Sequence, residues 1–170
     1  MSQSAPRVTE SHANPLLDFT DLPLFDQIRP EHVAPAIDQL LAQSQSALDK
    51  VVAPDFPADW KTIAQTLDVA TEQLGRAWSA VSHLNAVADT PELRAAYNAA
   101  LPKVTEFYTN LGSDERLYAK YKAVDPATLN AEQRRAQHNA LRGFVLGGAE
   151  LQGTAKERFA AIQARMDAAR

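Results

Sequence analysis

Apolar residues recur three and four positions apart along most of the chain, and that spacing predicts helices rather than strands. Val33, Ile37, Leu40, Leu48 and Val51 make one stripe and predict a helix from about Ala34 to Val52. Pro35 fits its first turn, where a backbone N–H has no partner to lose. Pro54 and Pro57 close it. Asp59 is a good N-cap for a second helix. Its stripe of Trp60, Ile63, Leu67, Leu74, Val81 and Leu84 continues to about Ala88. At 1.5 Å per residue that helix is roughly 45 Å long.

Thr90-Pro91-Glu92 reads as a restart: a cap, a proline suited to the first helical position, and a carboxylate at the positive helix end. Helical spacing then runs from Leu93 to Leu111 and stops at Gly112. Pro102 falls inside it and predicts a kink. A shorter helix over Asp114–Lys122 carries Leu117, Tyr118 and Tyr121. Asn130 with Gln133 makes a reciprocal cap for a helix ending at Gly147-Gly148. Thr154 with Glu157 reads as another capping box, opening a last helix with Phe159, Ile162 and Met166. That helix shows no stop signal, so the chain is expected either to finish in a frayed helix or to be the front part of something longer.

Residues 14–35 break the pattern. Four prolines there prevent a long helix, yet Leu16, Leu17, Phe19, Leu24 and Ile28 make the stretch too apolar for a free linker. A strap lying over a helical core satisfies both facts; a strand or two is the alternative. The expected fold is therefore all-α: an antiparallel bundle of about five to six helices under an irregular, Pro-rich N-terminal strap. Residues 14–170 are expected to form one helical domain and residues 1–13 a disordered tail.

Composition agrees with this pattern. The 31 alanines outnumber the 14 isoleucines and valines, which favours helix over strand. No cysteine is present, so disulfides, thiolate metal sites and thiol catalysis are excluded. The net charge is −4, and the 17 basic residues are scattered, unlike a nucleic-acid-binding face. No stretch approaches the roughly 20 apolar residues of a membrane span. The polar start lacks the apolar core of a signal peptide, which points to a cytoplasmic protein.

Candidate chemistry is sparse. His12, His32, His83 and His138 are not spaced as metal ligands on one helix, and none begins an H-E-x-x-H motif. No G-x-S-x-G elbow occurs. Gly143, Gly147 and Gly148 follow a helix rather than a strand, which favours packing or helix ending over phosphate binding. Most aromatics sit at core spacing, Trp60, Trp78 and Phe107 among them. Tyr118 and Tyr121 could instead turn their hydroxyls to a cleft. Residue chemistry alone yields a helical domain without a catalytic constellation.

Several short motifs nevertheless occur in a telling order: Asn14-Pro15-Leu16-Leu17, Arg29-Pro30-Glu31-His32-Val33, Ser82-His83-Leu84-Asn85, Thr90-Pro91-Glu92-Leu93-Arg94, and Leu129-Asn130-Ala131-Glu132-Gln133-Arg134. From about Asn14 to the C-terminus the chain resembles the N-terminal region of the thimet oligopeptidase-like zinc metallopeptidases, the family that takes in neurolysin and dipeptidyl carboxypeptidase. The resemblance implies a largely helical, two-lobed enzyme with a narrow channel that admits short peptides. It also implies a zinc ion, held by an H-E-x-x-H helix and a further Glu, that activates water.

That machinery belongs to the family's C-terminal half, and no catalytic or metal residue carries over to this chain. The expectation is a non-catalytic part, inactive alone, that helps enclose the channel and packs against the C-terminal catalytic region of the same polypeptide. Self-association through Phe159, Ile162 and Met166 is a further expectation. His83, Asn85, Arg94, Tyr118 and Tyr121 are the candidate channel-side or structural surface. The favoured alternative for Ser82–Arg94 is a helix-to-helix turn held by caps and hydrogen bonds. The competing functional reading is a stand-alone helical interaction module without enzymatic activity.

Overall fold

A computed structural model describes residues 14–167 of the chain, so the expected tail at 1–13 lies outside the described residues. The helices are α1 (Pro30–Val52), α2 (Trp60–Ile63), α3 (Val69–Val87), α4 (Pro91–Gly112), α5 (Glu115–Lys122), α6 (Ala131–Leu146) and α7 (Gly153–Asp167). A π-helical segment, Ala64–Asp68, joins α2 to α3 without a break, so the three make one rod. Short 3-10 turns occupy Pro15–Leu17 and Pro126–Thr128. The described residues hold no strand, so the strap over 14–29 is built from turns.

Two helix starts differ from the spacing. α1 begins at Pro30, not Ala34, because the Arg29 N–H donates to Nδ1 of His32 at 3.0 Å and Pro30 needs no partner there. Pro35 consequently lies in the second turn. α7 begins at Gly153, whose φ of 55° turns the chain into the helix, so Thr154 sits inside the first turn rather than capping it. The other starts follow the sequence. The side chains of Asp59, Thr90, Asp114 and Asn130 each accept a backbone N–H of the helix they cap. α4 continues through the exposed Pro102 as one helix.

α3 runs back along α1. Ser44 Oγ donates to the Ala70 carbonyl at 3.2 Å, and Val33 and Ile37 share a buried cluster with Ala80 and Val81. α4 then folds back along α3. Trp78 stacks on Tyr97 at 4.9 Å, and the Tyr108 hydroxyl donates to the Thr71 carbonyl. α1 and α4 are thus parallel neighbours, tied on the surface by Lys103 and Asp38 at 2.7 Å. Ala36, Ala77, Ala80 and Ala100 are buried in this packing, and their small side chains let the helix backbones approach.

The strap closes the same cluster with Leu16 and Ile28. Asn14 Nδ2 donates to the His32 carbonyl at 2.8 Å, and the Arg76 guanidinium donates to the carbonyls of Phe19 and Asp21. The second half of α1 contributes Leu48 and Val51 to another cluster, with Ile63, Leu67, Leu117, Tyr121 and Phe144. There α5 and α6 pack antiparallel. Gln137 Nε2 donates to the carbonyls of Tyr121 and Val124, and Phe144 meets the rings of Tyr118 and Tyr121.

α6 ends in a Schellman turn. The Ala149 N–H donates to the Phe144 carbonyl and the Gly148 N–H to the Val145 carbonyl, with Gly148 at φ 89°. Gly147 is needed for a different reason: a Cβ there would lie 2.5 Å from the Gly112 carbonyl oxygen, so the ends of α4 and α6 touch through glycine. Packing and helix ending are therefore what Gly147 and Gly148 do, while Gly143 lies inside α6 facing open space.

Candidate functional site

The five candidate residues fall into two places. His83, Asn85 and Arg94 lie around the turn from α3 to α4; Tyr118 and Tyr121 lie on α5, in the other cluster.

Around the turn, His83 is exposed and its ring packs against Phe25 of the strap at 5.5 Å. It borders an open depression along α3 shared with Pro23, Glu72, Gly75, Arg76 and Ser79. Arg76 is already engaged there, holding the strap and lying over the Phe19 ring. Asn85 Oδ1 is buried without a hydrogen-bond partner among the described residues. Arg94 pairs with Asp89, and that hydrogen bond raises the guanidinium's pKa further. With Thr90 Oγ1 accepting the Leu93 N–H at 3.2 Å, Ser82–Arg94 is a helix-to-helix turn held by a cap and an ion pair.

On α5, the Tyr118 hydroxyl donates to Glu150 at 2.5 Å, and this bond is the main cause of its raised pKa. Tyr121 is buried, its ring edge-on to Trp60 at 5.9 Å. Burial, then the nearby charge of Asp68, pushes its phenol far up. The phenol oxygen lies 3.5 Å from Asp68 Oδ1.

Tyr121 belongs to a groove of about 390 Å³ between the π-helical segment, α4, α5 and α6. Its floor is the buried set Leu67, Leu117, Tyr121 and Phe144. Tyr108 and Thr71 line one side. Gly112 and Gly143 leave the mouth open, since a Cβ added at either would touch nothing within 4 Å.

Asp68 supplies the groove's single carboxylate, on its rim. Partial burial pushes that carboxyl's pKa up against the opposing bond from Tyr121. Tyr108 is likewise raised, by burial first and then by the charge of Glu72. Sequence spacing does not single out Asp68, Thr71 or Tyr108. The one available signal was a carboxylate directly after Leu67, beside the apolar stripe.

Among the described residues, no three His, Asp or Glu side chains are placed to share a metal ion. His32 Nδ1 is occupied by the Arg29 N–H, and His83 stands alone against Phe25. The donor set does not fit a zinc centre, and no hydrolytic step is assigned to these residues.

Residues 37–156 match the family model described as Neurolysin/Thimet oligopeptidase, N-terminal domain. The chain is 42% identical over 157 residues to Oligopeptidase A of Salmonella typhimurium, covering 90% of this chain and 23% of that protein. Against Oligopeptidase A of Escherichia coli the identity is 41% with the same coverage. Probable cytosolic oligopeptidase A of Arabidopsis thaliana is 31% identical over 159 residues, 91% of this chain and 22% of that protein. The chain thus spans less than a quarter of the length of these relatives.

Proposed function

Because the chain belongs to the neurolysin/thimet oligopeptidase N-terminal domain family, we propose that it is the non-catalytic helical part of a zinc-dependent oligopeptidase that hydrolyses short peptides. The observation that carries this reading is the match itself: 90% of this chain aligns with 23% of a protein named for oligopeptide cleavage. The chain's role is to enclose part of the channel that admits peptides, and alone it is inactive. Zinc, bound by the C-terminal catalytic region of the same polypeptide, supplies the Lewis acid that activates water.

Several features support a channel-wall role. The rods of α1, α3 and α4 form a stiff support sealed by one apolar cluster. Leu146 at the end of α6 and Ile162 and Met166 on α7 are exposed apolar side chains, available to pack against the catalytic region. His83 and the Tyr118–Tyr121 pair are the proposed channel-side residues; Asn85 and Arg94 belong to the turn beside His83. No helix among the described residues is long and apolar enough to cross a membrane. A cytoplasmic location is part of the proposal, supported by the cytosolic relative.

The test compares the 170-residue chain with the longest polypeptide translated from the same reading frame. The longer protein is expected to cleave a short fluorogenic peptide, to stop on chelation and to recover with zinc. The 170-residue chain is expected to show no turnover with or without zinc. Chelator-sensitive turnover by the short chain would overturn the proposal. A reading frame that ends at Arg170 would instead favour the stand-alone interaction module.

A further inference from the structure

The groove beside the π-helical segment shares only Tyr121 with the residues proposed to face the channel, and it has the features of a small binding site of its own. Its volume of about 390 Å³ falls in the range of small-molecule sites and suits one or two amino-acid residues rather than a helix. Its floor is aromatic and aliphatic, and its mouth is open at Gly112 and Gly143. The π-helical turn that brings Leu67 and Asp68 to it is an uncommon geometry, one that often marks functional sites. Thr71 Oγ1 steadies that turn by donating to the carbonyls of Leu67 and Asp68 at 3.0 and 3.2 Å.

Charge decides what the groove would take. Asp68 is its only carboxylate, and no lysine, arginine or histidine lines it. Asp68 takes part in none of the ion pairs among the described residues. Its nearest donor, the Tyr121 hydroxyl, stands off at 3.5 Å, beyond the usual 2.5–3.0 Å of an O–H···O bond. The other charge felt on this side, from Glu72 toward Tyr108, is also negative. The rings of Tyr108, Tyr121 and Phe144 can add cation–π attraction.

We propose that this groove binds the amino-terminal residue of a short peptide, with the ammonium group on Asp68 and an apolar side chain over Leu67, Tyr121 and Phe144. The choice of a peptide, rather than another amphipathic cation, rests on the peptidase reading. The site itself is tested on the 170-residue chain without any hydrolysis, so the two can fail separately.

The probes are phenylalaninamide, a cation with an apolar ring, and N-acetylphenylalaninamide, its neutral counterpart. Binding is followed at neutral pH through the backbone amide resonances of Gly112 and Gly143. Phenylalaninamide is expected to shift both saturably, and the acetylated probe to bind at least tenfold more weakly. Asp68→Asn should weaken the cationic probe at least tenfold while leaving the neutral one unchanged. Gly143→Leu, which places a side chain in the open mouth, should abolish both. Absence of saturable shifts at the two glycines would overturn the proposal. So would equal binding of the two probes, or an Asp68→Asn variant that binds like the parent. Should Asp68→Asn not fold, the ratio between the two probes on the unmodified chain decides.

Discussion

The two buried clusters are built on one helix by different means. Where the first half of α1 meets α3, α4 and the strap, the buried side chains are aliphatic apart from Phe107, and four alanines bring the backbones together. Nothing polar is buried inside that cluster; Ser44, which bonds to the Ala70 carbonyl, lies on α1 between its contributions to the two clusters. The second half of α1 meets the π-helical turn, α5 and α6 through Trp60, Tyr121 and Phe144, with a buried Gln137 and an open groove. Close-packed alanines bring α1, α3 and α4 together, and the depression on this half lies outside that packing, between α3 and the strap. Rings meeting at 44° to 73° leave gaps and need polar pins to fix them. The difference places close alanine packing in one half and a ring-lined groove in the other.

The largest expected effect tests whether the clusters are separable. Leu74 is fully buried in the first. Leu74→Ala should cost about 3 kcal/mol through lost transfer energy and a residual cavity, lowering Tm by roughly 6–12 °C. Each cluster has its own reporter: Trp78 beside Tyr97 in the first, Trp60 beside Tyr121 in the second. Because α1 threads both, single-tryptophan variants should report the same midpoint, before and after the substitution. A Leu74→Ala protein whose Trp78 signal melts well before its Trp60 signal would break the view that α1 couples them.

A smaller effect is expected at the polar pin of the second cluster. Gln137 satisfies two carbonyls at the end of α5, at 3.1 and 2.9 Å. Gln137→Ala leaves both without that donor and should cost about 1–3 kcal/mol. Urea denaturation gives the magnitude. If the substitution proves neutral, the second cluster is held by its rings alone, and the contrast with the first narrows to geometry.

How much of this was legible in the sequence follows from the range of each interaction. Caps at Asp59, Thr90 and Asn130 act within three residues, so spacing located them; Asp114, read as the first residue of its helix, is its cap instead. The apolar stripe of the first cluster is a repeat and could be read as one. α1's early start needed a side chain, His32, to serve as an acceptor, which no helix propensity encodes. The groove depends on Tyr121, Asp68, Gly112 and Gly143 meeting from four segments, and on a π-helical turn with no marker in composition. The same holds for Gly147, which looked like a helix stop but is required by the Gly112 carbonyl across the bundle.

The smallest expected effect concerns two carboxylates whose signs should be opposite. Burial raises the pKa of Asp114, but hydrogen bonds from Arg116 and the backbone N–H groups of Leu117 and Arg116 outweigh it, so the net direction is down. Its charge therefore adds stability above the ordinary carboxylate pKa, and this is lost as pH falls through the lowered folded value. Asp68 is shifted up, mainly by burial. Its contribution favours the fold below the ordinary value and is lost as pH rises through the raised one. Asn still caps a helix, so Asp114→Asn removes charge while keeping the cap. That variant should be less stable than the parent at pH 7 by about a few tenths of a kcal/mol, given its solvent screening. Asp68→Asn should match or exceed the parent at pH 7. Both differences should shrink toward pH 3 in urea melts. A groove carboxylate already satisfied by its surroundings would give the reverse for Asp68, a loss at pH 7. That outcome would remove the distinction between a capping carboxylate that is fully bonded and a groove carboxylate that holds its charge in reserve for a ligand.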